Sequence, residues 1–168
     1  MQSKLTLALM TLALAAGLLS APPPAYAGTV SLTLTSSIEY GAPGSTETFD
    51  ATVAAPGTNS ADVFLNSDSF TVSFPLTLDD TDYFFNFPLS LSPGQSFTDA
   101  LFTVSIPAST LAGYYTGFFD IVGGATNSSS SVLASAPFTV VVTPEPSSFL
   151  LFGAGIASLV AAIKLRRT

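Results

Sequence analysis

Carboxylates are the only side chains in the central part of this chain that could carry out acid–base or metal chemistry. The 168 residues include no Cys and no His, and no Lys or Arg occurs between residues 28 and 143. These absences exclude thiol nucleophiles, zinc sites built on Cys or His, Ser-His-Asp triads and Schiff bases. They also exclude nucleic-acid binding, because Lys and Arg would have to neutralise the phosphates. The ten acids of the central part are Glu39, Glu47, Asp50, Asp62, Asp68, Asp79, Asp80, Asp82, Asp99 and Asp120.

The densest acidic cluster is Asp79-Asp80-Thr81-Asp82, which lies between two apolar segments. Oxygen ligands in a loop suit Ca²⁺, which makes Asp79, Asp80 and Asp82 weak calcium candidates. The EF-hand pattern of acids, glycine and a later glutamate is missing, so we expect a solvated acidic turn and no metal. Two carboxylates could also serve a glycosidase or an aspartic dyad, but no Asp-Thr-Gly or Asp-Ser-Gly occurs. We therefore expect no enzymatic activity and no cofactor.

The first 27 residues have the features of a secretory signal peptide. A basic start precedes an uncharged run over residues 5–19, and three prolines at 22–24 end any helix there. Ala25 and Ala27 are the small residues that a signal peptidase reads, which places cleavage before Gly28. The alternative is an uncleaved N-terminal anchor, for which the apolar run is short.

A second apolar segment lies near the C-terminal end. No charge occurs from Pro146 to Ile163, and a helix of this length would measure roughly 27 Å, enough for a thin bilayer core. Lys164, Arg166 and Arg167 follow at once and should stay in the cytoplasm. We expect a transmembrane helix over about residues 147–163, with everything before it outside. The alternative, a buried core helix, is disfavoured by the lack of a polar face.

The sequence Thr143-Pro144-Glu145-Pro146-Ser147-Ser148 lies directly before this apolar run. A Pro-Glu-Pro tripeptide, an apolar run and a basic chain end, in this order, resemble the PEP-CTERM sorting signal of Gram-negative bacteria. Many members have Val before the first proline, where this chain has Thr143. The resemblance implies that exosortase, an integral membrane enzyme, recognises Pro144, Glu145 and Pro146 and processes the tail during sorting to the envelope or exopolysaccharide. The same tail is also described as an ice-binding protein C-terminal domain, a label that does not establish ice binding.

The central part alternates between apolar and polar residues with a period of two, which predicts β-strands. Turn signals such as Pro43-Gly44 and Pro56-Gly57 separate the strands, and we find no helical period between the two ends. About seven to nine short strands favour an all-β, Ig-like, antiparallel two-sheet sandwich. The residues predicted to face its core are Val30, Leu32, Leu34, Phe49, Ala51, Val53, Val63, Leu65, Phe70, Val72, Phe74, Leu76, Leu78, Phe85, Phe87, Leu89, Leu91, Phe102, Val104, Ile106, Tyr115, Gly117, Phe119, Ile121, Ala136, Phe138, Val140 and Val142.

The segment from Leu111 to Tyr115 resembles a tyrosine corner, in which a Tyr hydroxyl binds an upstream backbone carbonyl. Tyr115 would be the corner residue, and the alternative is an ordinary core tyrosine. Strand parity places Tyr83, Tyr114 and Phe118 on the surface, where aromatic rings could bind sugars.

These features predict three parts: a signal peptide over 1–27, an extracytoplasmic sandwich over 28–143 and a sorting and anchor segment over 144–168. We expect an exported, non-enzymatic envelope or surface protein, linked to exopolysaccharide or biofilm. Its partners would be signal peptidase, exosortase and membrane lipid. A Sec-type signal would deliver it to the inner membrane, and sorting would then carry it to the envelope or the extracellular surface. The alternative is a small polysaccharide- or calcium-binding module on the same tail.

Overall fold

The computed structural model of the protein describes residues 28–143 and 154–156. Residues 154–156 are helical, and the predicted signal helix and most of the predicted membrane span lie outside the described residues. Within the described ranges, no helix is long and apolar enough to cross a membrane. The elements are β1 (Ser31–Leu34), β2 (Ile38–Gly41), β3 (Thr46–Ala54), β4 (Val63–Val72), β5 (Thr77–Asp79), α1 (Thr81–Asn86), β6 (Ser90–Leu91), β7 (Ser96–Ser105), β8 (Gly113–Gly124) and β9 (Ser131–Val142).

The strands form two sheets that pack on each other, as the sequence predicts. The smaller sheet has the order β1-β3-β7-β5 and the larger sheet the order β2-β9-β8-β4-β6. The prediction of a purely antiparallel sandwich is wrong at one edge, where β2 runs parallel to β9. Thr35 still bonds to β3 and Ser37 already bonds to β9. Because only Ser36 lies between them, the chain changes sheets without room for a reversing turn.

Phenylalanine rings fill the space between the two sheets. Phe49 and Phe102 of the smaller sheet stack with ring centroids 4.8 Å apart. Phe102 also lies 5.0 Å from Phe119 and 4.9 Å from Phe138 of the larger sheet. All four rings are buried, which confirms the predicted inward face of their strands. The other predicted core residues that are buried are Val30, Ala51, Val53, Val63, Leu65, Leu76, Phe87, Leu91, Val104, Ile106, Ile121, Ala136, Val140 and Val142.

The alternation of Phe70, Val72, Phe74, Leu76 and Leu78 predicts one continuous strand, and this prediction is wrong. The strand β4 ends at Val72, and the chain then crosses to the smaller sheet, where it continues as β5. Pro75 has no amide hydrogen and cannot continue a hydrogen-bond ladder, which explains the break. Phe74 is therefore 92% exposed instead of facing the core. Phe70 pairs with the buried Phe119 and shares its inward face, but it is still 40% exposed.

The alternation of Phe85, Phe87, Leu89 and Leu91 predicts a further strand. This prediction is also wrong, because α1 covers Thr81–Asn86 and only β6 remains as strand. Asp82 in the first turn interacts favourably with the positive end of the helix dipole. Tyr83 and Phe87, four residues apart, share one face and are buried, while Phe85 and Leu89 are exposed. The expectation of no helical period between the two ends was therefore wrong.

Candidate functional site

The last strand leads directly into the predicted sorting sequence. Val142, the last residue of β9, pairs with Gly41 of β2 and with Gly113 of β8. The backbone amide of Thr143 then donates to the carbonyl of Gly41 at 3.0 Å. The sandwich is therefore hydrogen-bonded up to the residue before Pro144, and no spacer separates it from the tripeptide.

The sorting residues themselves lie outside the described residues. This applies to Pro144, Glu145 and Pro146 and to the basic residues Lys164, Arg166 and Arg167. Their roles remain predictions.

At the other end of the chain, Ala25 and Ala27 also lie outside the described residues, but Gly28 lies inside them. A Cβ atom on Gly28 would come 2.1 Å from Cγ2 of the buried Val63. Asn59 forms two hydrogen bonds with Thr29, the residue after Gly28. Its Nδ2 donates to the carbonyl of Thr29 at 2.8 Å, and its Oδ1 accepts from the amide of Thr29 at 3.2 Å. The predicted mature chain is thus fixed to the sandwich from its first residues.

The acidic cluster forms the start of α1. The Thr81 hydroxyl and backbone amide bond to Asp79 and hold the pKa of its carboxyl below the usual value. Asp80 precedes the helix without a side-chain capping bond, and Asp82 lies in the first turn. Over the described residues, no group of three acids could hold a metal ion. The geometry therefore adds no support to the weak calcium candidates.

Asp68 on β4 is a polar site that the sequence pattern does not single out. Its Oδ2 atom is enclosed, and no donor of the described residues reaches it. Burial, and then the negative charge of Asp80, raise the pKa of the Asp68 carboxyl to about 6. Burial also raises the pKa of Tyr83, with a further contribution from the charge of Asp68.

The tyrosine corner is present. The hydroxyl of Tyr115 donates to the backbone carbonyl of Leu111 at 2.9 Å. This bond joins the turn before β8 to the strand itself. It shows that Tyr115 is the corner residue and not an ordinary core tyrosine.

Of the three aromatic residues predicted on the surface, two are exposed. Tyr114 and Phe118 lie on the outer face of β8. Tyr83 is only 3% exposed, and its hydroxyl donates to the carbonyl of Ser67 at 3.2 Å. The prediction for Tyr83 is wrong because the residue belongs to a helix, where strand parity does not apply.

Two further exposed residues belong to this outer face, and sequence reasoning missed them. Tyr40 and Ile38 alternate on β2, a strand too short to stand out in the sequence. Val141 pairs with both Tyr40 and Tyr114, so the two tyrosines flank it in one row across three strands.

The end of the sandwich at which β9 leaves for the tail is formed by the turns over 42–45, 73–76 and 107–112. We call it the exit end. The backbone amide of Gly44 donates to the carbonyl of Ile106, and the backbone amide of Ser73 donates to the carbonyl of Thr116. These bonds join the first turn to the end of β7 and the second turn to β8, the two strands that the third turn connects. The sequence pattern predicts a turn at Pro43-Gly44 and a strand over 73–76. Only the fold shows that the three segments lie at the same end of the sandwich.

Residues 142–167 match the family model of the PEP-CTERM protein-sorting motif. The chain therefore carries this sorting motif, as the sequence resemblance predicts, and the motif implies export and membrane-associated sorting. It begins at the last residue of β9.

Among curated proteins, none matches the chain. Two solved structures are similar to its sandwich. A chain of the CaDoc0917–CaCohA2 complex at pH 5.5 is 17% identical, with a TM-score of 0.42, over 68% of this chain and 100% of the other. A chain of the Coh-OlpA–Doc918 complex, a type I cohesin–dockerin complex from Clostridium thermocellum, is 10% identical, with a TM-score of 0.31, over 68% and 99%. These values identify no ligand or partner for this chain.

Proposed function

We propose that this protein is a non-enzymatic surface protein that exosortase sorts through its tail, with a role in the exopolysaccharide matrix or biofilm. The sorting motif over residues 142–167 carries the proposal. A signal peptide over residues 1–27 would export the chain, and the apolar run over 147–163 would hold it in the inner membrane until exosortase acts. The sandwich would then be the cargo that reaches the envelope or the extracellular surface.

The composition of the sandwich supports a role without catalysis. It has no Cys, His, Lys or Arg, so carboxylates would have to supply all acid–base and nucleophilic chemistry. Among the described residues, burial and then the negative charge of Asp80 raise the pKa of the Asp68 carboxyl, and these two causes explain the raised pKa without a catalytic role.

Replacing Glu145 by Ala tests the sorting proposal. The change removes the acid of the tripeptide but keeps the apolar run and the basic chain end, so membrane insertion should be normal. In a strain that has exosortase, an antibody to the sandwich should find the wild type outside the inner membrane and the Glu145→Ala variant still in it. Val160→Leu, a conservative change within the run, is the control and should behave like the wild type. Release of both variants would mean that Glu145 carries no sorting information.

A neutral polysaccharide is a second candidate partner, favoured by the row of Tyr40, Val141 and Tyr114. Aromatic rings on a flat sheet can stack on sugar rings, and the acidic sandwich would repel an anionic polymer. In affinity electrophoresis with the neutral matrix polysaccharide, the double change of Tyr40 and Tyr114 to Ala should abolish retardation. Phe85→Ala, an exposed ring on α1, should not. Equal migration of all forms with and without the polysaccharide would rule this partner out.

A further inference from the structure

The exit end carries no charged side chain, although the sandwich as a whole is acidic. No Asp or Glu occurs over 40–46, 69–78 or 100–119, the segments that contain its three turns. Three acids, namely Glu39, Glu47 and Asp79, lie within three residues of its turns, and Glu47 accepts a hydrogen bond from the hydroxyl of Ser45. The strand register places Asp50, Asp68, Asp99 and Asp120 farther from the exit end. The charge distribution is therefore uneven along the axis of the sandwich.

Two large apolar side chains protrude from this uncharged end. Phe74 is 92% exposed and Leu111 is 79% exposed. Their turns are held in place: the hydroxyl of Ser73 donates to the carbonyl of Thr116 at 2.9 Å, and the Tyr115 hydroxyl holds the carbonyl of Leu111. Because Tyr115 and Thr116 are neighbours on β8, the two turns are anchored side by side.

The short link to the predicted span limits how far the exit end can stand from the membrane. Thr143 is the last residue bonded to the sandwich, and three residues separate it from residue 147. Even a fully extended link reaches only about 14 Å, and the headgroup layer takes up roughly 5–7 Å of this distance. Leu111 precedes Gly113, the strand partner of Val142, so its turn lies at the same end of the sandwich as the link.

We propose that the exit end rests on the membrane surface and that Phe74 and Leu111 enter the headgroup layer of the lipid bilayer. The proposal rests on the membrane tether of the proposed function. Apolar side chains gain free energy by partial burial at this depth. Moving the acids of the sandwich out of water toward the lipid would cost free energy, which favours turning the uncharged end toward the bilayer. This contact would hold Pro144 and the residues after it at the bilayer surface, where an integral membrane enzyme acts.

The absence of cysteine from the chain allows a direct depth measurement. The full chain, with a single cysteine at Leu111→Cys or Phe74→Cys, is reconstituted in phosphatidylcholine vesicles that contain lipid with a nitroxide on the headgroup. A membrane-impermeant fluorophore then labels only the outward-facing sandwiches. Phe85→Cys is the matched control, because Phe85 is also apolar and 84% exposed but lies on α1 near Asp82. Thr58→Cys, at the opposite end of the sandwich, is the second control.

The nitroxide should quench the labels at positions 111 and 74 several-fold more strongly than the labels at positions 85 and 58. Equal quenching at all four positions would overturn the proposal. Quenching at positions 111 and 74 that occurs only after exosortase is added would also overturn it, because the exit end would then bind a protein. Alkaline carbonate extraction separates the two proposals. A chain that resists extraction but shows no preferential quenching disproves the lipid contact alone, and a chain that is extracted disproves the tether and the contact together.

Discussion

At the scale of single residues, Asp68 is a half-buried carboxyl with one enclosed oxygen. The larger sheet and α1 enclose one of its oxygens, and the charge of Asp80 adds to the cost of ionisation. On the same two strands, the Ser69 hydroxyl donates to the carboxyl of Asp120. No positively charged side chain compensates the charge of Asp68, because residues 28–143 include no Lys, Arg or His.

The pKa of Asp68 predicts a pH-dependent stability. It is about 6 in the folded chain against an ordinary value of 3.8, so the folded state binds this proton more tightly than the unfolded state. The contribution of Asp68 is therefore fully present below about pH 4, falls as the pH rises from about 4 to about 6 and is lost above that. We expect Asp68→Asn to raise the free energy of unfolding at pH 7 by about 1 kcal/mol, a value reduced for partial exposure.

Urea unfolding of the fragment of residues 28–143 at pH 4 and pH 7 measures this effect. Asp62→Asn, on an exposed turn, should keep the fall in stability that the wild type shows between these pH values. If Asp68→Asn keeps the same fall, the half-buried carboxyl is not its source.

Adjacent phenylalanines test the inward and outward faces of β8. Phe119 is fully buried among the stacked rings, and Phe118 is 52% exposed. We expect Phe119→Ala to lower the free energy of unfolding by about 3–5 kcal/mol, because a core aromatic is lost and a cavity forms. Phe118→Ala should cost less than about 1 kcal/mol. Denaturant unfolding of both variants checks this, and equal losses would contradict the register of β8 with β4 and β9.

At the scale of elements, the tyrosine corner joins the turn over 107–112 to β8. Replacing Tyr115 by Phe removes only the hydroxyl that donates to Leu111. We expect a loss of about 1 kcal/mol in the free energy of unfolding, the usual net value of such a bond. Tyr114→Phe is the control and should be nearly neutral, because Tyr114 is exposed on the opposite face. Thermal unfolding that does not distinguish the two variants would mean that the corner bond adds no stability.

The sequence predicted the long strands well, because alternation fixes which face is buried once two sheets pack on each other. Phe49, Phe102 and Phe138 all point inward as expected. Alternation failed at Phe74 and at Phe85, where local chemistry overrides it: Pro75 interrupts a hydrogen-bond ladder, and the acids before and within α1 start a helix. The parallel strand β2 could not be predicted, since its direction depends on a change of sheet within three residues. The Ig-like assignment remains a prediction, with which the corner bond agrees.

The candidate sites also differ in whether the sequence alone could predict them. The sorting motif is a contiguous sequence and could be read directly from Pro144, Glu145 and Pro146. The exit end and the row of Tyr40 and Tyr114 are assembled from residues far apart in the chain, so only strand register and sheet order bring them together.

At the scale of the whole molecule, the central claim is that the sandwich is the exported domain and that the tail is its sorting signal. Hydrogen bonds hold the chain to the sandwich from Thr29, near the predicted signal peptidase site, to Thr143 before the tripeptide. Both predicted processing sites therefore lie directly beside the folded part. An uncharged exit end is compatible with contact between the sandwich and the membrane before processing. The acidic surface elsewhere favours solubility once the sandwich is released into water.

The most direct test of the central claim is the intact mass of the protein recovered from two strains, with and without exosortase. With exosortase, the protein should leave the inner membrane with a mass that starts at Gly28 and lacks the apolar run and the basic residues Lys164, Arg166 and Arg167. Without exosortase, it should stay in the inner membrane with a mass that extends from Gly28 to Thr168. The same full-length mass in the inner membrane of both strains would contradict the claim.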